Sequence, residues 1–380
     1  MSINLHCQLE CDKDSQYKLI QLTPELLKVL KPTKGNEQNS LLQFKALDDN
    51  SSNVVLCSRD KTWIVRQKNH SNTALLMNEF IPGRPMNIPK ESLFGLTEPT
   101  SDLLGYSSTS FEYETRKTEG QLNLDLVPLY NGEVKFPQTG NKPQLRTFEE
   151  LVEHSPTSVV EAKTIWYNVG GCEINGYICL LSNEFMSRAL HVMLTSVVAE
   201  NLNLNELALD ETFRAVTKDM GPDFNPYTIE VVKTVLNRFM KAFTDDRWSL
   251  DMLKIAKWYG INALKNHAHK TSMSTDEFMI KWKSTFPPFL PCDIDTDMLR
   301  GHYYKPAEHH LQYIAKNTLP IDVKERFNIL FRLQSTWDFE DIKPLVEDLN
   351  VHGLKIDNFI MKYARRRRVP GKQKVIVTSR

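Results

Sequence analysis

The hydrophobic period of this chain changes near Thr147, and that change constrains the fold more than any other feature. Ahead of it, apolar residues come in short alternating runs, as on a pleated strand. Beyond it they recur at three- and four-residue spacing, as on one face of a helix. The 380 residues are too many for one ordinary core and enough for several. Hydrophobic residues at 41% and charged residues at 25% exclude bulk disorder.

The first third predicts strands at Tyr17–Leu22, Leu41–Leu47, Asn53–Cys57, Thr62–Gln67 and Thr73–Phe80. Turn-forming stretches separate them at Asp48–Ser52, Arg59–Lys61 and Lys68–Asn72. About five short strands are few for a closed barrel, and their free edges call for cover. Residues 1–140 therefore read as a β-barrel-like region completed by partner chains. Within it, Ser110–Arg116 and Gln121–Leu129 alternate, and the rest of 81–144 reads as linker.

From Thr147 the chain reads as three units of one type. In residues 141–205, Thr147 and Glu150 make a capping box. Ser155-Pro156 then predicts a helix to about Asn168, ended by Gly170-Gly171. Asn175-Gly176 between apolar flanks signals a type I′ hairpin. In residues 206–318, Ile229, Val232, Leu236, Phe239 and Phe243 share a helical face. Ser249 reads as the cap of a helix bearing Leu250 and Leu253, and Ser274 with Glu277 as the box of another, stopped by Pro287-Pro288. A further short helix and a hairpin over Tyr303–Ile314 complete that unit. In residues 319–380, helices form around Val323–Leu330, Ile342–Leu349 and Ile356–Tyr363. Arg367–Val369, a Pro370-Gly371 turn and Val375–Val377 follow as a two-stranded wing. Three helices and a wing are the layout of a winged helix-turn-helix. The fold class expected is thus α+β: a β region, then three winged-helix domains.

A formal net charge of zero hides an asymmetry. Residues 362–380 hold eight cations and no acid, leaving 39 basic against 47 acidic groups in residues 1–361. The body is therefore about −8 and the end +8. Lys355, Asn358, Lys362 and Arg366 read as one face of the last helix. Arg365, Arg367, Arg368, Lys372, Lys374 and Arg380 continue the charge. Clustered Arg and Lys neutralise phosphates, so these nine cations are the candidate DNA contacts, on single or double strands without sequence preference. A solvated face or a nuclear-localisation signal is the competing explanation.

No G-x-x-x-x-G-K-S/T loop, G-x-G-x-x-G turn or G-x-S-x-G elbow is present, and neither catalytic residues nor a cofactor are expected. Cys7, Cys11, Cys57, Cys172, Cys179 and Cys292 are scattered, with no C-x-x-C, and read as reduced and largely buried. His267, His269, His302, His309 and His310 lack metal-ligand spacing, so no metal is expected. Trp248, Trp258, Tyr259, Trp282, Tyr303 and Tyr304 read as core or partner-facing aromatics. No apolar run approaches a membrane span, and Met1–Asp14 is polar, so no membrane contact and no secretory leader are expected.

Three stretches resemble one known family. They are Val55-Leu56-Cys57 with Asp60-Lys61-Thr62-Trp63, Ser71-Asn72 and Leu75-Leu76; Glu173–Tyr177 with Leu180-Leu181; and Glu325–Asn328, Leu330-Phe331, Trp337, Glu340–Ile342, Pro344 and Asp348-Leu349. Together they are similar to the Dcc sister-chromatid-cohesion subunit of the alternative, chromosome-transmission-fidelity clamp loader, and the length suits its budding-yeast member. The resemblance implies a non-ATPase scaffold. Its β region would join other subunits of the clamp loader, and its winged helices would meet the leading-strand polymerase epsilon and DNA. It would work in the nucleus and act on the sliding clamp indirectly. Arg365–Arg368 is not part of the family pattern, and residues 84–144 match none of it. The runner-up is a protein-only adaptor whose basic end is a localisation signal; an enzyme with an unrecognised site comes third.

Overall fold

A computed structural model describes residues 3–7, 17–31, 42–46, 54–79, 101–134, 136, 147–221, 224–350, 354–368 and 375–380. The chain is a mixed α and β protein. It divides into two compact units, Met1–Leu129 with Pro137–Leu180, and Tyr130–Phe136 with Leu181–Arg380.

The first unit is built on a six-stranded sheet. Its strands are β1 (Ile3–Cys7), β2 (Ile20–Gln21), β3 (Gln43–Ala46), β4 (Val54–Cys57), β5 (Thr62–Glu79) and β6 (Ser101–Thr118). The order is β1-β6-β5-β4-β3, with β2 also beside β6. β3 to β6 run antiparallel, and β1 and β2 lie parallel to β6. No closed barrel forms among the described residues, and β3 and β1 stand at open edges. Two expected strands, Thr62–Gln67 and Thr73–Phe80, are one. β6 pairs with β5 on both sides of a register shift between Asn69 and Ala74, so the expected turn Lys68–Asn72 falls at an irregularity within one strand. Gln121–Leu129 carries no strand ahead of β7 (Leu129–Tyr130). Of Tyr17–Leu22 only Ile20 and Gln21 are strand; helix α1 (Pro24–Leu30) follows. Thr23 caps it, Pro24 fits its first turn, and Leu26 is buried against Leu56 and Trp63. The Asp48–Ser52 turn lies outside the described residues.

Helices α2 (Phe148–Glu153) and α3 (Val159–Val169) are fastened to that sheet by polar groups. Lys45 donates to the carbonyls of Val152 and Thr157, and Thr62 Oγ1 donates to Glu161 at 2.6 Å. The Thr147–Glu150 capping box is present. α3, however, is capped by Ser158 rather than Ser155, whose hydroxyl is used by the Leu151 carbonyl. Gly170, at φ +86°, ends α3. Hairpin β8 (Gly171–Ile174) and β9 (Tyr177–Leu181) then turns through Asn175 and Gly176, both at positive φ as a type I′ turn requires.

Beyond Leu181, one arrangement occurs three times. A helix leads to a short strand, then to one or two helical segments, then to a hairpin. The first is α4 (Asn183–Ala199), β10 (Leu207–Ala208), α5 (Leu209–Thr217), α6 (Ile229–Phe239), β11 (Met240–Thr244) and β12 (Arg247–Leu250). The second is α7 (Met252–His267), β13 (Met273–Ser274), α8 (Thr275–Lys283), a 3-10 turn at Thr296–Leu299, β14 (Tyr303–Tyr304) and β15 (His310–Tyr313). The third is α9 (Val323–Leu333), β16 (Thr336–Asp338), α10 (Phe339–Val346), α11 (Ile356–Tyr363), β17 (Ala364–Arg368) and β18 (Val375–Ser379). In every case the last strand is central: β10-β12-β11, β13-β15-β14 and β16-β18-β17, matching β7-β9-β8.

Residues 206–318, read from sequence as one unit, thus carry two such sheets, and the helix leading into the first is α4, ahead of residue 206. Phe243 lies on β11 and Leu250 on β12, so neither is helical. Asp251, not Ser249, caps α7, accepting from the amides of Leu253 and Lys254. α8 ends at Lys283, ahead of Pro287. Trp282 and Tyr303 are fully buried, Trp248 and Tyr259 nearly so, as expected of core aromatics.

Candidate nucleic-acid interface

The C-terminal module is seated on Phe327, Leu330, Trp337, Ile342, Leu345, Phe359, Ile360 and Val377, all buried. Phe359 and Ile360 turn one face of α11 inward and leave Lys355, Asn358 and Lys362 exposed. The helix ends at Tyr363 because Ala364 is extended and buried, opening β17 three residues before the expected Arg367. Arg366 therefore lies on a strand, not on the helical face assigned to it from the sequence. β17 pairs antiparallel with β18, from Ala364 opposite Ser379 to Arg368 opposite Val375.

Strand geometry sorts the four arginines, because successive side chains leave opposite faces. Ala364, Arg366 and Arg368 share the inward-leaning face; Arg365 and Arg367 take the other. Arg366 is engaged within the module. Its guanidinium lies 5.2 Å from the Phe339 ring centroid and pairs with Asp357 at 2.8 Å. Arg380 donates to the Met361 carbonyl at 2.6 Å, near the C-terminal end of α11, where a cation is favoured. Lys355, Lys362, Arg365, Arg367 and Arg368 are exposed and pair with no acid among the described residues. Lys372 and Lys374 lie outside the described residues. The structure thus brings three free arginines together on one strand, with Lys362 on the last turn of the helix leading into it.

A second set of ions holds this module in place. Asp341 is buried on α10 and accepts from Arg300 Nε and Lys305 Nζ, each at 3.0 Å. Arg326, 3% exposed on α9, donates to the Pro320 and Leu345 carbonyls and to both oxygens of Asp348. Burial alone would raise the Asp348 pKa, but hydrogen bonds from Arg326 and Lys316 outweigh it and hold the carboxyl below its ordinary range. His302 is pushed down to about 4, by burial first and then by Lys257, Lys265 and Lys316. Local spacing does not announce these pairs, whose partners stand 22 to 41 residues apart.

Among the described residues, no group of three or more His, Cys, Asp or Glu side chains is placed to hold a metal, and no helix is long and apolar enough to cross a membrane. Cys57, Cys172 and Cys179 are buried free thiols, and Cys292 is half-buried.

Residues 17–346 match the family described as sister chromatid cohesion protein Dcc1. The chain is 52% identical to sister chromatid cohesion protein DCC1 of Saccharomyces cerevisiae over 387 aligned positions, covering all of both. It is 26% identical to the Homo sapiens protein of the same name, over 83% of this chain and 79% of that one. It is 22% identical to a probable sister chromatid cohesion protein DCC1 of Dictyostelium discoideum, over 96% and 94%. The family match stops at residue 346, ahead of α11 and the arginine strand. With 330 of 380 residues inside that match, and full-length identity to one relative above half, this chain belongs to the sister chromatid cohesion protein Dcc1 family.

Proposed function

We propose that this chain is a non-catalytic scaffold subunit of an alternative replication factor C clamp loader, working in sister chromatid cohesion and replication in the nucleus. Its four last-strand-central sheets are winged-helix modules, the first lacking its leading helix. The topology supports this: each hairpin returns to pair with the short strand ahead of the helix pair. The six-stranded sheet is the subunit-assembly surface. Its open edges and exposed Leu5, Phe44, Leu75 and Met77 favour completion by partner chains. The middle modules meet protein, polymerase epsilon in view of the family resemblance. The sliding clamp is reached through the other subunits.

The last module touches DNA. The observation that carries this is the trio Arg365, Arg367 and Arg368, exposed on one strand and paired with no acid among the described residues. A protein-only adaptor is the second reading. The Arg366–Asp357 pair favours it, since one arginine of the run already has an internal partner.

The assembly claim is tested by purifying the chain with and without the remaining clamp-loader subunits and following amide exchange. Edge strands Gln43–Ala46 and Ile3–Cys7 are expected to exchange fast alone and to gain at least tenfold protection in the assembly. Equal exchange in both preparations would refute subunit completion of this sheet.

A further inference from the structure

Phe289 combines two unfavourable features. It is 95% exposed, the most exposed large hydrophobic residue among those described, and its φ is +65°. Leu290 N–H donates to the Pro287 carbonyl at 3.3 Å, closing a four-residue turn. Pro288 stands second and Phe289 third, the pattern of a type II turn, whose third position favours Gly or Asn. A bulky side chain there strains the backbone and exposes an aromatic ring to water.

The turn is also fastened on both sides. Phe286 packs on Tyr259, their ring centroids 5.0 Å apart, and Pro287 is buried. Downstream, Cys292 Sγ lies 3.8 Å from the Met252 carbonyl. The next residue on α7, Leu253, is 63% exposed and adds apolar surface. Then come exposed Asp293, Asp295 and Asp297. Asp297 pairs with Arg300 at 2.7 Å, whereas Asp293 and Asp295 meet no cation among the described residues.

We propose that Phe289 is a preorganised anchor that seats in an apolar socket of a partner protein bordered by lysine or arginine. The preformed turn lowers the ordering cost of binding, and an aromatic side chain that fills a partner's pocket is a recurrent kind of energetic anchor. The acids beside it select a basic rim and repel a phosphate backbone or an anionic lipid surface, which makes the occupant a protein. This inference rests on the assignment of the middle modules to protein contact.

The test places benzoylphenylalanine at position 289 of the full chain, expressed in Saccharomyces cerevisiae in place of its 52%-identical relative. A parallel strain carries it at Ile280, exposed on α8 of the same module. After irradiation, the adduct at 289 is expected on an apolar residue of another protein with Lys or Arg neighbours. Asp293→Lys should reduce its yield at least fivefold. Phe289→Gly should weaken binding to that protein at least tenfold, with a melting temperature unchanged or higher, because glycine suits the turn. An adduct at 280 alone overturns the anchor and leaves the protein-contact assignment standing. No adduct at either position overturns both. An adduct on a second copy of this chain, indifference to Asp293→Lys, or a lower melting temperature for Phe289→Gly also overturns the anchor.

Discussion

Arg326 shows how much one buried charge carries. Its guanidinium satisfies two carbonyls and the Asp348 carboxylate from a nearly solvent-free position. Arg326→Met keeps most of the volume and leaves those acceptors unpaired. The expected cost is about 3 kcal/mol, read as a lower urea midpoint; an unchanged midpoint would be inconsistent with this network. His302 sets a pH dependence. Its folded pKa, about 4, lies below the ordinary 6.5, so the unfolded chain binds the extra proton between those values. Stability is fully present above about pH 6.5 and falls as pH drops toward 4, by at most roughly 3 kcal/mol. His302→Gln should flatten that part of a stability-against-pH curve; an identical slope would remove His302 as its cause. The basic run was legible from composition, but the division of labour within it was not. Arg366 meets Asp357 nine residues away only because α11 stops at Tyr363 and β17 turns back beside it.

Among elements, two glycines separate packing from backbone strain. A Cβ on Gly260 of α7 would stand 2.7 Å from both Trp282 and Leu299, atoms locked in a full core. Gly260→Ala should cost about 1–3 kcal/mol by forcing α7 from its neighbours. A Cβ on Gly176 meets nothing, but φ is +77°, so Gly176→Ala should cost only about 1 kcal/mol, all of it conformational. Thermal melts should rank Gly260→Ala below Gly176→Ala; the reverse order would contradict this packing. The same contrast explains which elements could be read in advance. The Asn175-Gly176 hairpin and helices α9 to α11 announce themselves through turn chemistry and sustained apolar spacing. The two-residue strands β10 and β13 are too short to show a period, which is why residues 206–318 read as one unit. Helix α1 had a signal, Thr23 followed by Pro24, but its seven residues bury one leucine and leave little periodicity. The turn signal at Lys68–Asn72 marks no chain reversal but a break in register within β5, which steps from Asn69 to Ala74 before pairing with β6 resumes.

At the scale of the whole molecule, a neutral chain separates an acidic body from a cationic end, and the family match over residues 17–346 stops short of that end. Contact between the C-terminal module and DNA is the central claim, and the salt dependence of binding tests it most directly. Fluorescence anisotropy of the full chain with duplex DNA is measured at several salt concentrations, beside an Arg365→Ala, Arg367→Ala, Arg368→Ala variant. Three to five phosphate contacts give a log–log slope of roughly −3 to −5, from about −0.9 per phosphate. The variant should bind more weakly on every sequence, with a slope flatter by about one unit per lost contact, and should melt as the parent does because exposed charges contribute little to stability. Equal affinity and slope in a folded variant would contradict the claim and return the arginine strand to the role of a localisation signal.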